Sequence, residues 1–268
     1  MSHVAHRELP IPAGGLVVSC QSPPGNPLQG PQLMAAFARA AEYGGAMAIR
    51  ANGPADVAAI RAATDLPVIG INKTGSRQGV YITPTPATAA EVVAAGAAMV
   101  AVDGTDRPRP QGWTLPALVD VIHHEFGVPV MADCDSMASA AYAAEAGCDM
   151  LSTTLAGYTG DHADHASSSG HPTDHSGNTG ATIDPADDTN APAGPRTDDG
   201  AGPDLDLLAA MAAAFDLPVI AEGRYSTPAH LTAAYEAGAH AVVVGTAITN
   251  PAALTRSFVA AAQAQPHR

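Results

Sequence analysis

The chain has 268 residues, of which 46% are hydrophobic but only 4% aromatic, so it can bury an aliphatic core of one barrel or two small domains. The net charge of −14 repels phosphate backbones, which argues against nucleic acid as a partner. Cys20, Cys134 and Cys148 lack metal or disulfide spacing and no apolar run reaches membrane-spanning length, so we expect a cytoplasmic protein without a membrane segment.

Eight short apolar runs indicate buried parallel strands, and each is followed by a helical stretch. The final helix is expected at 251–263. Eight βα units over 1–268 predict an α/β fold with one domain, a (β/α)8 TIM barrel. A doubly wound open sheet is the alternative, but no Gly-x-Gly-x-x-Gly follows the first run. The predicted strands lie near residues 16, 46, 68, 99, 129, 150, 218 and 241.

Helix start and stop signals support this order. Thr85, Ser136 and Thr227 are predicted N-caps, and each precedes a glycine stop signal by the same number of residues. Amphipathic helices are expected at 115–126 and 205–215. The first strand is expected to end at Gln21 and the second at Arg50.

The segment 160–202 interrupts the pattern after the sixth strand. It consists of Gly, Ser, Thr, Asp, Pro and His and holds almost no apolar residue, so we predict a mobile or disordered insertion. Its histidines and aspartates could suggest a metal site, but no predicted helix or hairpin fixes the ligand geometry, and we therefore predict no metal. The residues concerned are His162, Asp164, His165, His171, Asp174 and His175.

Polar residues follow the predicted strands at their carboxyl ends, where active sites of TIM barrels lie. These charges could instead only close the strands in solvent, although residues of both signs recur there. Lys73 and Glu222 follow strands three and seven, on opposite sides of a barrel mouth, as two proton carriers acting on opposite faces of a carbon would require. The set comprises Gln21, Arg50, Lys73, Asp103, Asp133 and Glu222.

Two glycine-containing loops indicate a phosphate site. Gly223 and Arg224 follow strand seven, and Gly245 and Thr246 follow strand eight, which is the usual barrel position for binding phosphate through backbone N–H groups. The alternative is that these glycines serve ordinary turns.

An ordered set of segments resembles the N-acetylmannosamine-6-phosphate 2-epimerase family, one of the ribulose-phosphate-binding barrels. The resemblance covers about 16–261 apart from the insertion. It rests on VSCQ at 18–21, AIR at 48–50, VIGINK at 68–73, YITP at 81–84, VDGTDRPRP at 102–110, MAD at 131–133, LAGYT at 155–159, IAEGR at 220–224 and VGTAIT at 244–249.

This resemblance implies cofactor-free epimerisation between N-acetylmannosamine 6-phosphate and N-acetylglucosamine 6-phosphate, in the catabolism of sialic acid and amino sugars. It implies catalytic roles for Lys73 and Glu222 and sugar contacts for Gln21, Arg50 and Asp133. It also suggests a homodimer, which the sequence itself does not indicate.

Two departures from the family pattern leave alternatives open. The family has an arginine where Asn250 stands, and it has a short linker where this chain has the insertion. Another phosphate-binding barrel enzyme, of the thiazole or indole-glycerol-phosphate synthase type, is one alternative. A sugar-phosphate sensor without activity is the other, although Lys73 and Glu222 argue against it.

Overall fold

A computed structural model describes residues 8–75, 79–159 and 202–263. Within these residues, eight parallel strands close into a barrel in which each strand pairs with the next and the first pairs with the last. The TIM-barrel prediction is therefore confirmed. The strands are β1 (Gly15–Cys20), β2 (Ala48–Asn52), β3 (Val68–Ile71), β4 (Met99–Asp103), β5 (Val130–Asp133), β6 (Met150–Ser152), β7 (Val219–Ala221) and β8 (Ala241–Val244).

Helices alternate with these strands along the described chain. The predicted final helix is found at the expected residues, as α9. The helices are α1 (Pro31–Tyr43), α2 (Pro54–Arg61), α3 (Pro86–Ala94), α4 (Leu115–Val121), α5 (Met137–Glu145), α6 (Leu205–Ala214), α7 (Pro228–Glu236), α8 (Thr246–Thr249) and α9 (Pro251–Gln263).

The three predicted N-caps are confirmed. The hydroxyl oxygens of Thr85, Ser136 and Thr227 each accept a hydrogen bond from the backbone N–H three residues later, at the starts of α3, α5 and α7. These bonds satisfy donors that have no partner within the helix. Repeated local signals thus start three of the outer helices at matching positions.

Some predicted boundaries were wrong. β1 ends at Cys20 rather than Gln21, and β2 continues to Asn52, so that Arg50 lies in the middle of that strand. By contrast, the predicted bounds of the helix at 115–126 are correct, because the chain is α-helical to Val121 and continues as one π-helical turn to Phe126. The ladder extends β2 because Asn52 pairs in register with Ile71 of β3.

Strand pleating divides the apolar residues into two cores. Side chains alternate between the faces of a strand, so one set fills the barrel lumen while the other packs against the helices. Ile11, ahead of β1, joins the lumen set. The lumen set includes Val17, Ala48, Ile69, Ile71, Met99, Ala101, Met131, Met150, Ile220, Ala241 and Val243.

Two further predictions concern the insertion after the sixth strand and the absence of a membrane segment. The insertion at 160–202 lies outside the described residues except for Gly202, and it includes all of the histidines and aspartates considered for a metal. Across the described part of the chain, every helix is too short or too polar to cross a membrane.

Candidate active site

The polar side chains of the site each lie two residues beyond an apolar residue of the lumen set. Because inward positions recur every second residue, the residues two positions beyond the apolar lumen residues also face the lumen, now at its carboxyl end. Strand alternation and closure of the barrel together therefore bring them to one mouth. They are Ser19, Arg50, Lys73, Asp103, Asp133, Ser152 and Glu222.

Arg50 and Asp133 form a buried bidentate ion pair. The Arg50 Nη1 and Nη2 atoms lie 3.0 and 2.5 Å from the two carboxylate oxygens of Asp133, and the exposed fractions of the two side chains are 1% and 0%. Parallel hydrogen bonds of this kind fix the orientation of both groups. A guanidinium that crosses the lumen from β2 to β5 therefore forms the floor of the mouth.

Glu222 joins this pair from β7. Its Oε2 atom accepts a hydrogen bond from Arg50 Nη1 at 2.7 Å, and its side chain is 14% exposed. Thr154 Oγ1 lies 3.0 Å from the same oxygen and 2.8 Å from Asp133 Oδ1. One guanidinium and one hydroxyl thus hold two carboxylates, one on β5 and one directly after β7, with only β6 between these strands.

This environment raises the pKa of Glu222 above its ordinary value. Burial is the largest cause and the Asp133 charge adds to it, whereas Arg50, the Thr154 hydrogen bond and the Lys73 charge act in the opposite direction. Burial alone would lower the pKa of Arg50, but Asp133 and Glu222 outweigh it and raise that pKa. A carboxyl group with a raised pKa exchanges protons nearer neutral pH, as a general acid or base requires.

Lys73 stands on the other side of the mouth. β3 and β7 are four strands apart in a closed barrel of eight, so Lys73 and Glu222 follow strands on opposite sides. The backbone N–H of Lys73 donates to Asn52 Oδ1 at 2.9 Å, and its Nζ donates to Gln21 Oε1 at 2.7 Å. Gln21 in turn donates through Nε2 to Ser19 Oγ at 2.9 Å. Asn52 on the neighbouring strand β2 therefore fixes the backbone, and Gln21 after β1 fixes the ammonium group.

Asp103 has a different role from the other strand-end residues. It is fully buried, and it accepts hydrogen bonds from Thr105 and, at 2.7 Å, from Arg107 Nη2. Arg109 donates to the backbone oxygens of Thr105 and Asp103. The Asp103 carboxylate is thus occupied by its own loop, and this carboxylate stabilises the segment that follows β4.

The residues predicted to bind phosphate follow the neighbouring strands β7 and β8. Gly223 and Arg224 both have a positive φ, of 108° and 61°. Such a value is ordinary for glycine but uncommon for a residue with a side chain, such as Arg224. The Arg224 Nε atom donates to the Gly202 carbonyl at 2.8 Å and Nη1 donates to the Ala156 carbonyl at 3.4 Å. Gly245 is the N-cap of the short helix α8, which begins at Thr246.

The described residues contain no group of three His, Cys, Asp or Glu side chains arranged to hold a metal ion. The arrangement instead places an ammonium group and a carboxyl group on opposite strands, above a buried ion pair. Such a mouth suits proton transfer to and from a bound molecule.

Comparisons with known proteins identify the family of the chain. The family model described, provisionally, as N-acetylmannosamine-6-phosphate epimerase matches residues 34–169 and 193–264. The chain belongs to this family.

Two bacterial relatives are named provisionally as N-acetylmannosamine-6-phosphate 2-epimerase. The one from Cutibacterium acnes is 44% identical over 260 residues, which cover 96% of this chain and 98% of the relative. The one from Caldanaerobacter subterraneus subsp. tengcongensis is 40% identical over 247 residues, which cover 91% and 90%. A solved structure of N-acetylmannosamine-6-phosphate 2-epimerase from Clostridium perfringens is 34% identical with a TM-score of 0.77, and the match covers 97% of this chain and 99% of that one.

In this epimerase-family chain, Asn250 caps a helix at the position where the resemblance implies an arginine. The Asn250 side-chain oxygen accepts a hydrogen bond from the backbone N–H of Ala253 at 3.1 Å, in the first turn of α9. Asparagine is among the best residues for this capping position, whereas arginine cannot accept such a bond. A helix cap thus occupies the position at which the family pattern has an arginine.

The sequence analysis missed the role of the hydroxyl residues at the end of β6, from Ser152 to Thr154. Thr153 Oγ1 donates to the backbone oxygen of Glu222 at 2.8 Å and accepts from its N–H at 3.1 Å. Ser152 Oγ lies 2.7 Å from Thr154 Oγ1. A run of three hydroxyl residues at the carboxyl end of a buried apolar strand was the available signal, because buried hydroxyl groups need hydrogen-bond partners.

Proposed function

We propose that this epimerase-family chain interconverts N-acetylmannosamine 6-phosphate and N-acetylglucosamine 6-phosphate by moving the proton at C2. The observation that carries the proposal is the placement of Lys73 and Glu222 on opposite strands of one mouth, with the pKa of Glu222 raised mainly by burial. Family membership supports the substrate, because its relatives bear that enzyme name.

The chemistry follows from the open-chain form of the sugar. The C1 carbonyl makes the C2 proton acidic, and removal of that proton leaves an enediolate-type anion. A proton returned to the opposite face inverts C2, so the reaction needs two proton carriers and positive charge near the developing oxyanion. Lys73 and Glu222 supply the carriers in this proposal, and the charges of Arg50 and Lys73 favour the anion.

The charges in the mouth suit one acid and one base. Arg50, Lys73, Asp133 and Glu222 sum to zero when all four are ionised. The sum is also zero when the proton of Lys73 has moved to Glu222, so the site can hold either distribution without an uncompensated charge. Each carrier can therefore start a turnover as the acid while the other acts as the base.

Substrate contacts form a second part of the proposal. Gln21 is half-buried beside Lys73 and can contact the sugar, while Arg50 and Asp133 lie beneath it as the floor of the mouth. We assign the phosphate to Gly223 and Arg224 after β7 and to Gly245 and Thr246 after β8. N–H groups at the start of a helix have no partner within it, and they favour an anion.

A homodimer is the third part of the proposal, and the surface of α9 supports it. The described residues of α9 include none that is buried, although Leu254, Phe258 and Val259 form part of an apolar surface. An amphipathic helix of this kind normally covers its apolar side. Light scattering at several protein concentrations tests the oligomeric state.

The three buried free thiols are consistent with the reducing conditions of the cytoplasm.

Proton NMR of N-acetylmannosamine 6-phosphate with the enzyme in heavy water tests the proposed reaction. We expect N-acetylglucosamine 6-phosphate to appear with deuterium at C2. A synthase of another phosphate-binding barrel type would leave the C2 proton in place. Binding of the sugar phosphate without turnover would instead indicate a sensor, and either result would overturn the proposal.

A further inference from the structure

Thr154 lies where two carboxylates compete for one hydroxyl proton. Its Oγ1 atom is 2.8 Å from Asp133 Oδ1 and 3.0 Å from Glu222 Oε2, and a hydroxyl has only one proton to donate. The Ser152 hydroxyl is 2.7 Å away and can donate to Thr154. Arg50 Nη1, at 3.4 Å, is the fourth polar neighbour of this oxygen.

We propose that Thr154 is a positioning residue whose hydroxyl donates to Glu222 when that carboxyl is ionised and to Asp133 when Glu222 carries a proton. The inference rests on the proposed function, because it gives Glu222 the two protonation states that epimerisation needs. The hydroxyl turns between two acceptors that are both within hydrogen-bond distance, so no other atom has to move.

The preference follows from the strength of charge-assisted hydrogen bonds. An ionised carboxylate is a stronger acceptor than a protonated carboxyl group. When Glu222 loses its proton, both carboxylates are ionised, but Asp133 already accepts two hydrogen bonds from Arg50 whereas Glu222 accepts one. The Thr154 proton therefore stabilises the new charge on Oε2 more than it stabilises Asp133. When Glu222 regains the proton, Oε2 becomes the weaker acceptor and Asp133 becomes the better partner. The Ser152 hydroxyl donates to the Thr154 oxygen in both states.

The contacts of Glu222 show which oxygen remains for the substrate. Within the described residues, the hydrogen bonds to its carboxylate from Arg50 and Thr154 both go to Oε2. The Oε1 atom is therefore the one that can gain or lose the C2 proton. Holding Oε2 on two sides fixes the direction in which Oε1 points, which is the geometric condition for efficient proton transfer.

Three charged groups face Glu222 from other strands: Arg50 on β2, Lys73 after β3 and Asp133 on β5. A change of Thr154 to valine retains all three and replaces only the hydroxyl by a methyl group. Any resulting change in the titration of Glu222 then reports the lost hydrogen bond, provided that the fold is unchanged.

The test is a titration of protein labelled with ¹³C at the glutamate side-chain carboxyl, with the Glu222 signal assigned from its loss in Glu222→Gln. In Thr154→Val we expect the Glu222 midpoint to move upward by about 0.5–1 pH unit, because the ionised form loses a donor. Thr154→Ser should restore the midpoint. Thr232→Val, which changes an exposed hydroxyl on α7, is the matched control and should leave it unchanged.

Kinetics give a second measurement. For the epimer that Glu222 deprotonates, the acid limb of the pH profile of kcat should move to higher pH in Thr154→Val and return in Thr154→Ser. In Thr154→Val, kcat should fall by about tenfold with little change in KM. Thr154→Ala provides another variant without the hydroxyl if valine disturbs folding. An unmoved or lowered Glu222 midpoint in the variants without a hydroxyl, or no return in Thr154→Ser, would overturn the inference. Wild-type protein without epimerase activity would overturn the proposed function instead, while the titration would still decide the role of Thr154.

Discussion

Arg50 holds Asp133 through both terminal nitrogens of its guanidinium, and the two residues are 83 positions apart in the sequence. The same guanidinium binds Glu222, so one buried cation compensates two carboxylates. A buried ion pair is costly to break because the remaining partner is left without compensation.

This sharing predicts unequal effects on stability. Arg50→Met should cost about 3–5 kcal/mol of unfolding free energy, because Asp133 and Glu222 both lose their cation. Asp133→Asn should cost less, about 1–3 kcal/mol, because Arg50 keeps Glu222 as its partner. Urea unfolding at pH 7 measures both values. A larger loss for Asp133→Asn than for Arg50→Met would contradict the shared-cation arrangement.

The two proposed proton carriers should separate exchange from inversion. Lys73→Ala and Glu222→Gln should each reduce net epimerisation by about 10²–10⁴-fold, since inversion needs a carrier on each face. One of the two variants should still exchange the C2 proton of one epimer with solvent deuterium, because the remaining base removes and returns a proton on its own face.

Proton NMR in heavy water measures both quantities, and matching melting curves are the control for folding. Near wild-type epimerisation in both variants would show that these side chains are structural. Loss of exchange in both variants would favour a mechanism with a single base.

Asn250→Arg tests the departure from the family pattern. The new guanidinium should strengthen phosphate binding by about 1–3 kcal/mol, which appears as a lower KM. The melting temperature should fall slightly because the cap of α9 is lost. Asn250→Ala loses the cap without adding charge, so it serves as the matched control. An unchanged KM would mean that other groups already hold the phosphate.

The cysteines predict a loss of stability in alkali. Burial raises the pKa of Cys20 to about 12, with a smaller contribution from Asp56, and burial also raises the pKa of Cys134 and Cys148. Above about pH 8.5 the unfolded chain releases thiol protons that the native chain keeps, so stability is lost as the pH rises through this window.

Melting temperatures between pH 7 and 10.5 test this effect, and Cys20→Ala should reduce the decline. The native protein should also resist iodoacetamide until urea unfolds it. Rapid labelling of all three thiols in the native state would contradict their burial.

Gly70 on β3 should tolerate no larger side chain. A Cβ atom there would lie 2.7 Å from the Cβ of Ala97 and 3.0 Å from that of Val92, which is closer than packed atoms approach. Gly70→Ala should therefore destabilise the fold by about 1–3 kcal/mol in urea unfolding. Gly79→Ala, where a Cβ atom would meet nothing within 4 Å, should have little effect.

The sequence by itself determined that the chain forms a barrel and that the polar residues lie at the carboxyl ends of its strands. Apolar runs, caps such as Thr85 and the glycine stop signals act over a few neighbouring residues, so they can be identified without knowledge of distant contacts. The predicted strand ends also placed Lys73, Asp133 and Glu222 at the mouth. These predictions depend on local backbone geometry, which sequence encodes directly.

Only the tertiary structure decided how the polar groups pair. Arg50 and Glu222 are 172 positions apart, and they meet because the barrel closes. Closure also places Thr154 within hydrogen-bond distance of two carboxylates. Asp103 differs, because its hydrogen-bond partners lie in the loop that follows it. The pairing of buried charges depends on distances across the lumen, and those distances exist only once all eight strands have closed.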